Sequence, residues 1–240
     1  MKLLSISTSA RVPSAALMLD DGRILMRSNT SGKPHSVSLM RLVDELLSEE
    51  SLSVSDIDAF CVDIGPGSFT GVRIGVSVVN ALSFSTGKPI IAISSLAALR
   101  HAAPKNSEIV CCMLDARNDN GYAAVYAGDK VILAPCACVQ SEVFEKLERD
   151  YGEFTVVGDC KSESLLDVHL GNENSVDANL VLKEARYRIE SLSADCTTNN
   201  NELSAERPTA SEELFTGCFT NYAVPMYLRP SQAERMRTGK

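Results

Sequence analysis

Asp63-Ile64-Gly65-Pro66-Gly67-Ser68-Phe69-Thr70-Gly71-Val72-Arg73-Ile74-Gly75 joins a strand end, a glycine-rich loop and a helix start in one short stretch. Upstream, Ala59-Phe60-Cys61-Val62-Asp63-Ile64 reads as a buried strand. Downstream, Val72, Val76, Val79 and Leu82 recur at helical spacing. The loop is therefore a strand-to-helix corner. Gly65 and Gly67 open backbone angles closed to other residues, Pro66 stiffens the turn, and Ser68 can cap the first free N–H groups of the helix.

Such a corner offers a helix N-terminus to an anion, but the pattern fits no phosphate loop well. No Lys-Ser or Lys-Thr follows it, and the third glycine of a dinucleotide fingerprint is replaced by Thr70. The bland alternative is a tight structural corner. A third reading comes from the helix: Gly71 and Gly75 lie one turn apart, so they leave a strip of bare backbone on one face. Glycine inside a helix costs roughly 1 kcal/mol against alanine. The strip therefore predicts that something packs very close, either another helix of this chain or a partner's.

The chain has 240 residues, 45% hydrophobic and 22% charged, with a formal net charge of −8. This length suits one large domain or two small ones. No apolar run is long enough to cross a bilayer, and Met1-Lys2-Leu3-Leu4 runs straight into a strand pattern, so a cytoplasmic protein is expected. Cys61, Cys111 and Cys112 lie in apolar strand-like runs and read as reduced thiols. Cys136-Ala137-Cys138 is neither a redox pair nor half of a usual zinc site. The acidic balance argues against an autonomous nucleic-acid binder. Arg229, Arg235, Arg237 and Lys240 form a terminal basic cluster that reads as a solvated tail.

Along the chain, Leu3-Leu4-Ser5-Ile6-Ser7, Ser14-Ala15-Ala16-Leu17-Met18-Leu19 and Ile24-Leu25-Met26 read as an antiparallel meander. A helix from about Ser36 to Glu50 carries Leu39, Leu42, Val43, Leu46 and Leu47 on one face. The glycine corner and its helix follow, then the strand Ile90-Ile91-Ala92-Ile93, giving the order β-β-β-α-β-α-β. The second half starts the same way. Ile109-Val110-Cys111-Cys112-Met113-Leu114-Asp115 and Tyr122-Ala123-Ala124-Val125-Tyr126 flank a turn at Asn118-Asp119-Asn120-Gly121, where Asn-Gly is a hairpin signal. A helix over 141–151, the strand Thr155-Val156-Val157 and a helix over 178–192 complete it. Residues 195–213 have almost no large apolar residues and are expected to be a mobile insertion. The expected division is a first half at 1–104, a reduced second half at 105–230, and a basic tail at 231–240.

A β-β-β-α-β-α-β half followed by a second half that starts with the same hairpin resembles the actin, Hsp70 and sugar-kinase clan, which implies an α/β chain of two duplicated RNase H-like halves, mixed sheets flanked by helices. The motif Gly65-Pro66-Gly67-Ser68-Phe69-Thr70-Gly71-Val72-Arg73-Ile74-Gly75, with Asp115-Ala116-Arg117 before a hairpin and a terminal Pro225-Met226-Tyr227-Leu228-Arg229, resembles the TsaB (YeaZ) family. The resemblance covers 1–128 and 222–230 well. It implies a non-catalytic dimerisation subunit of the tRNA threonylcarbamoyladenosine complex, paired with a catalytic TsaD-like sister and joined by a TsaE-like ATPase. By the same resemblance the complex uses ATP and Mg, this subunit binds no cofactor alone, and tRNA meets it only through the complex. The implied partner interface, a pseudo-symmetric helix pack, takes His35, Leu39, Leu42, Val43, Leu46, Phe69, Gly71, Val72, Gly75, Val78 and Leu82. Gly65, Pro66, Gly67, Ser68, Thr70, Arg73, Asp115 and Arg117 form its loop motifs. A homodimer is expected where the partner is absent.

The chain departs from its clan at Ile6-Ser7-Thr8-Ser9, where an Asp usually handles metal-bound phosphate; a neutral Ser7 cannot hold a divalent cation as a carboxylate would. The sister's paired-histidine metal motif is reduced here to Ser94-Ser95-Leu96-Ala97-Ala98-Leu99-Arg100-His101. His35, His101 and His169 have no mutual ligand spacing, so structural or surface roles are expected. A competing class is a small-molecule kinase of the same clan, with Asp63, Asp115 and Asp159 as magnesium ligands or bases. No Ser-His-Asp order or HExxH helix supports a peptidase.

Overall fold

The computed structural model describes residues 1–32, 34–160, 175–198 and 218–229. Its first sheet is built from β1 (Leu3–Ser7), β2 (Ser14–Met18), β3 (Ile24–Ser28), β4 (Ala59–Asp63) and β5 (Ile90–Ile93), in the order β3-β2-β1-β4-β5. β1 runs antiparallel to β2 and parallel to β4. β1, β2 and β4 are buried at every position, which is why their sequences are continuous small and apolar runs rather than alternating ones.

Two helices cover one face of this sheet: α1 (His35–Glu49), before β4, and α2 (Phe69–Thr86), between β4 and β5. Leu39, Leu42, Val43 and Leu46 of α1 join Val72, Val76 and Val79 of α2 against Leu4, Ile6, Leu17, Phe60 and Val62. The α2 helix stops where Gly87 takes a left-handed φ of 69°, closing on the Ser83 carbonyl.

After α3 (Ser95–Leu99), a second sheet repeats the pattern with β6 (Val110–Asp115), β7 (Asn120–Ala127), β8 (Lys130–Val139) and β9 (Thr155–Gly158), ordered β8-β7-β6-β9. Here α4 (Gln140–Tyr151) precedes β9, as α1 precedes β4, and β6 pairs antiparallel with β7 and parallel with β9. Both halves are RNase H-like, the architecture of the actin, Hsp70 and sugar-kinase clan. The halves share one core. α5 (Ala178–Thr198) lies between them, its Leu180, Val181 and Ala185 packing with Leu3, Ile91 and Ile93 of the first sheet and Cys112, Ala124 and Val157 of the second.

The structure departs from the sequence reading in three places. β8 was not predicted. Between the pairs Ala123↔Cys136 and Val125↔Leu133 it advances three residues while β7 advances two, an extra residue accommodated beside Pro135. A bulged edge strand tolerates a proline, and that proline hides the strand signal. Second, Asn120 and Gly121 are not the hairpin turn but the start of β7; Arg117, Asn118 and Asp119 make the turn with φ of 68°, 53° and 57°. Gly121 is needed for space, since a Cβ there would sit 2.7 Å from Met113 Sδ. Third, α5 runs to Thr198, so 195–198 continue a helix. The remainder of the 195–213 stretch, His169 and the 231–240 tail lie outside the described residues. No helix among the described residues is long and apolar enough to cross a membrane.

Candidate functional site

The glycine strip is filled from within. A Cβ on Gly71 would lie 2.0 Å from the Thr8 carbonyl oxygen, and one on Gly75 would lie 2.4 Å from Thr8 Oγ1. The Thr8 hydroxyl donates to the Gly71 carbonyl at 2.7 Å, so the turn after β1 is hydrogen-bonded into the bare face of α2. At the corner itself, a Cβ on Gly67 would lie 2.7 Å from Ser9 Cβ, and Ser68 N donates to the Ser9 carbonyl at 2.8 Å. Ser68 Oγ accepts from Gly71 N at 3.2 Å, the expected cap. Gly65, at φ +93°, precedes Pro66 in a cis peptide.

These contacts turn most of the expected interface side chains inward: Gly71, Val72 and Gly75 are buried against β1 and its turn, and Leu39, Leu42, Val43 and Leu46 are buried against the chain's own sheet. Val78 and Leu82 are half-buried at the edge of that core. His35 is half-buried with its Nε2 3.1 Å from the Arg11 carbonyl.

The outward face carries different residues. Phe84 is 92% exposed and Val37 65%, with Met40 and Phe69 also exposed. Thr70, Arg73, Ser77 and Ala81 of α2 and Arg41 and Asp44 of α1 are exposed as well. Sequence reasoning missed Phe84, Val37 and Met40 because it followed the buried periodic stripe. Their signal was present as large apolar residues out of phase with that stripe.

The C-terminal strap borders this face. Thr220 pairs with Ile90 on the edge of β5, and Asn80 of α2 holds both the N–H (2.8 Å) and the carbonyl (3.0 Å) of Ala223. Met226 N donates to the Ile64 carbonyl at 2.7 Å, and the Tyr227 ring packs on Phe69 with centroids 5.0 Å apart. Arg229 Nη2 then reaches Asn120 Oδ1 at 2.7 Å, tying the corner of the first half to the hairpin tip of the second. The strap leaves Tyr222, Val224 and Tyr227 exposed.

Asp63 is closed off. It is fully buried; Oδ2 accepts from Ser7 Oγ at 2.9 Å and from Ser9 Oγ, and Oδ1 from Ser95 Oγ at 2.5 Å and Gly65 N at 2.9 Å. Burial pushes its carboxyl up from the usual carboxylate range, against the pull of the Ser9, Ser95, Gly65 and Ser7 bonds. A carboxylate with its lone pairs so engaged pins together the ends of β1 and β4 and the start of α3. It has no open side toward a cation. Asp63→Ala is expected to cost about 3 kcal/mol by leaving these donors unpaired, and Asp63→Asn about 2 kcal/mol; a urea melt showing less than about 1 kcal/mol for both would refute this role. Because the folded carboxyl binds its proton more tightly than the unfolded one, its contribution is full below about pH 4 and shrinks as pH rises through the raised value.

The second hairpin tip is held by its own network. Asp115 Oδ1 accepts from Arg117 N and from Gln140 Nε2, both at 3.0 Å, and Asp159 Oδ1 accepts from Asp115 N at 2.8 Å. The Asp63 carboxylate is bonded to Ser7, Ser9, Ser95 and Gly65 rather than to this group, and among the described residues no three His, Cys, Asp or Glu side chains are grouped so as to hold a metal ion. The Arg117 side chain is exposed. Between the halves, Glu184 of α5 accepts from Arg100 Nε at 2.9 Å and Arg188 Nε at 2.8 Å, with His101 Nε2 at 2.8 Å. His101 thus sits in a structural ion cluster.

The family model described as "TsaD: tRNA N6-adenosine threonylcarbamoyltransferase" matches residues 29–163, more than half of the chain. The "tRNA threonylcarbamoyladenosine biosynthesis protein TsaB" of Escherichia coli is 28% identical over 252 residues, covering 100% of both chains. The Haemophilus influenzae protein of the same name is 31% identical over 64% of this chain, and the match spans 59% of that relative. The solved structure of YeaZ from Pseudomonas aeruginosa superposes with a TM-score of 0.63 at 27% identity, covering 79% of this chain and 92% of that one. The chain belongs to the TsaB (YeaZ) family. In this TsaB-family chain the glycine strip is an internal packing feature of the corner, and the outward side of α1 and α2 and the strap carry exposed side chains.

Proposed function

We propose that this protein is a non-catalytic scaffold in tRNA threonylcarbamoyladenosine biosynthesis, and that the outward face of α1 and α2 holds and activates a TsaD-like transferase. The observation that carries the reading is Phe84, almost wholly exposed on a helix otherwise well packed, with Val37 and Met40 on the neighbouring helix. Large apolar side chains left exposed on neighbouring helices are a feature of docking surfaces. The names of the relatives support the pathway. The TsaD family model supports the partner, because its match includes α1 and α2. A partner with the same helix pair can pack against this one about a pseudo-two-fold axis, and two copies of this chain can do so where the partner is absent.

In this reading the chemistry, with ATP and Mg, belongs to the complex, a TsaE-like ATPase joins it, and tRNA is met through the assembled complex in the cytoplasm. The enclosed Asp63 favours a scaffold over a kinase, since its oxygens are already committed to Ser7, Ser9, Ser95 and Gly65. Phe84→Glu with Val37→Glu is expected to weaken binding of the transferase partner by about a hundredfold, or 2.7 kcal/mol. Its unfolding midpoint should hardly move, because both positions are exposed. Unchanged affinity in a calorimetric titration, or ATP turnover and tRNA modification by the chain alone, would remove the proposal.

A further inference from the structure

Arg73 is exposed and yet fixed in place. Its guanidinium carbon lies 3.7 Å above the Phe69 ring centroid and 5.6 Å from that of Tyr227, and Nε donates to the Tyr227 hydroxyl at 2.7 Å. Tyr227 is itself held by the strap, through Met226 N on the Ile64 carbonyl and Arg229 on Asn120. Among the described residues Arg73 has no ion pair, as is true of Arg11, Arg117 and Arg229, whereas Arg23, Arg27, Arg41, Arg100, Arg149, Arg186 and Arg188 each have one. With Nε occupied, both terminal nitrogens remain to donate. A guanidinium held over an aromatic ring by its Nε bond, with both terminal nitrogens left to donate, is a fork for a carboxylate, and its rotamer entropy is already spent within the folded chain.

We propose that Arg73 is the polar anchor of the docking face and takes a carboxylate from the transferase partner. This rests on the function proposed above and names the residue and chemistry that orient the complex. Arg73, Ser77 and Phe84 fall on one flank of α2 at i, i+4 and i+11, so the cation stands in line with the most exposed apolar side chain. The source of the carboxylate follows from pseudo-symmetry: the outward flank of α1 carries Asp44 in line with Val37, exposed and without an ion pair among the described residues. A partner with a related helix pair can place an acid at that position opposite Arg73. The net charge of −8 and the apolar side chains around Arg73 favour a protein carboxylate over a nucleic-acid phosphate.

The test is titration of the purified partner with wild type, Arg73→Gln, Arg73→Lys and Tyr227→Phe at low and high salt, with a thermal melt of each. Arg73→Gln should weaken binding about thirtyfold and flatten its salt dependence; Arg73→Lys should keep the salt dependence but recover only part of the affinity. Tyr227→Phe, which keeps the ring but frees Nε, should cost about threefold. Unchanged affinity for Arg73→Gln beside a lowered melting temperature would overturn the proposal, making Arg73 a clamp for the strap alone. Loss seen only when tRNA is present, or only in self-association, would overturn it as well. If instead wild type fails to bind, or Phe84→Glu with Val37→Glu binds normally, it is the docking face itself that is wrong.

Discussion

Gly71→Ala should cost about 3 kcal/mol of stability, in a helix where the same exchange ordinarily gains about 1 kcal/mol. The obstacle is the Thr8 carbonyl oxygen, 2.0 Å from the new methyl carbon, and backbone cannot rotate away. Gly75→Ala should be milder, because its neighbour at 2.4 Å is Thr8 Oγ1, which can turn aside by giving up its bond to the Gly71 carbonyl. The two glycines therefore respond differently to a second change. Thr8→Ala should relieve Gly75→Ala, a coupling visible in a double-mutant cycle, and leave Gly71→Ala as damaging as before. Urea denaturation of the singles and doubles measures this, and a loss under about 1 kcal/mol for Gly71→Ala would show that the β1 turn yields. Weakened partner binding by either variant would then report a distorted corner rather than a lost contact.

Glu184→Ala is the second large effect, expected at about 3 kcal/mol because it leaves the mostly enclosed Arg100 and the more exposed Arg188 without their anion. Glu184 is 3% exposed, and Arg100 beside it lies over Tyr187 with its guanidinium carbon 4.1 Å from the ring centroid. The loss should therefore loosen α5 from the segment after α3 and with it the seam between the halves. Burial pushes the Glu184 carboxyl up, but the His101 bond and the Arg100 and Arg188 charges outweigh it, holding it below the usual glutamate range. A carboxyl lowered in the folded state contributes stability that is full above its unfolded value, near 4.5, and is lost as pH falls through the lower folded value. Glu184→Gln should accordingly remove part of the acid sensitivity of unfolding below about pH 4.5. Matching stability-versus-pH curves for Glu184→Gln and wild type would exclude that linkage.

The order of the first half was legible because its signals are local. Periodicity separates the α1 and α2 stripes from the apolar runs of β1, β4 and β5, and Ser68 caps α2 where its position suggested. β8 escaped because Pro135 and a bulge break its alternation, and Asn120-Gly121 misled because Gly121 is small to admit Met113 and Gln140, a demand from across the sheet. The residues of the proposed docking face divided in the same way. The stripe residues Leu39, Leu42, Val43 and Leu46 advertise a face that must be buried, but their sequence does not say by what.

The amino-acid sequence by itself determined the strand and helix order through β5, the capped glycine corner and the family pattern, since each depends on neighbours a few positions away. Only the tertiary structure decided that Thr8, 63 residues before Gly71, fills the glycine strip, and that Asp63 is sealed by hydroxyls from β1 and α3. It also decided that Phe84 and Arg73 face outward beside a strap that returns from the far end of the chain. Those outcomes turn on which distant segment occupies a space first, and a periodic stripe carries no record of its occupant.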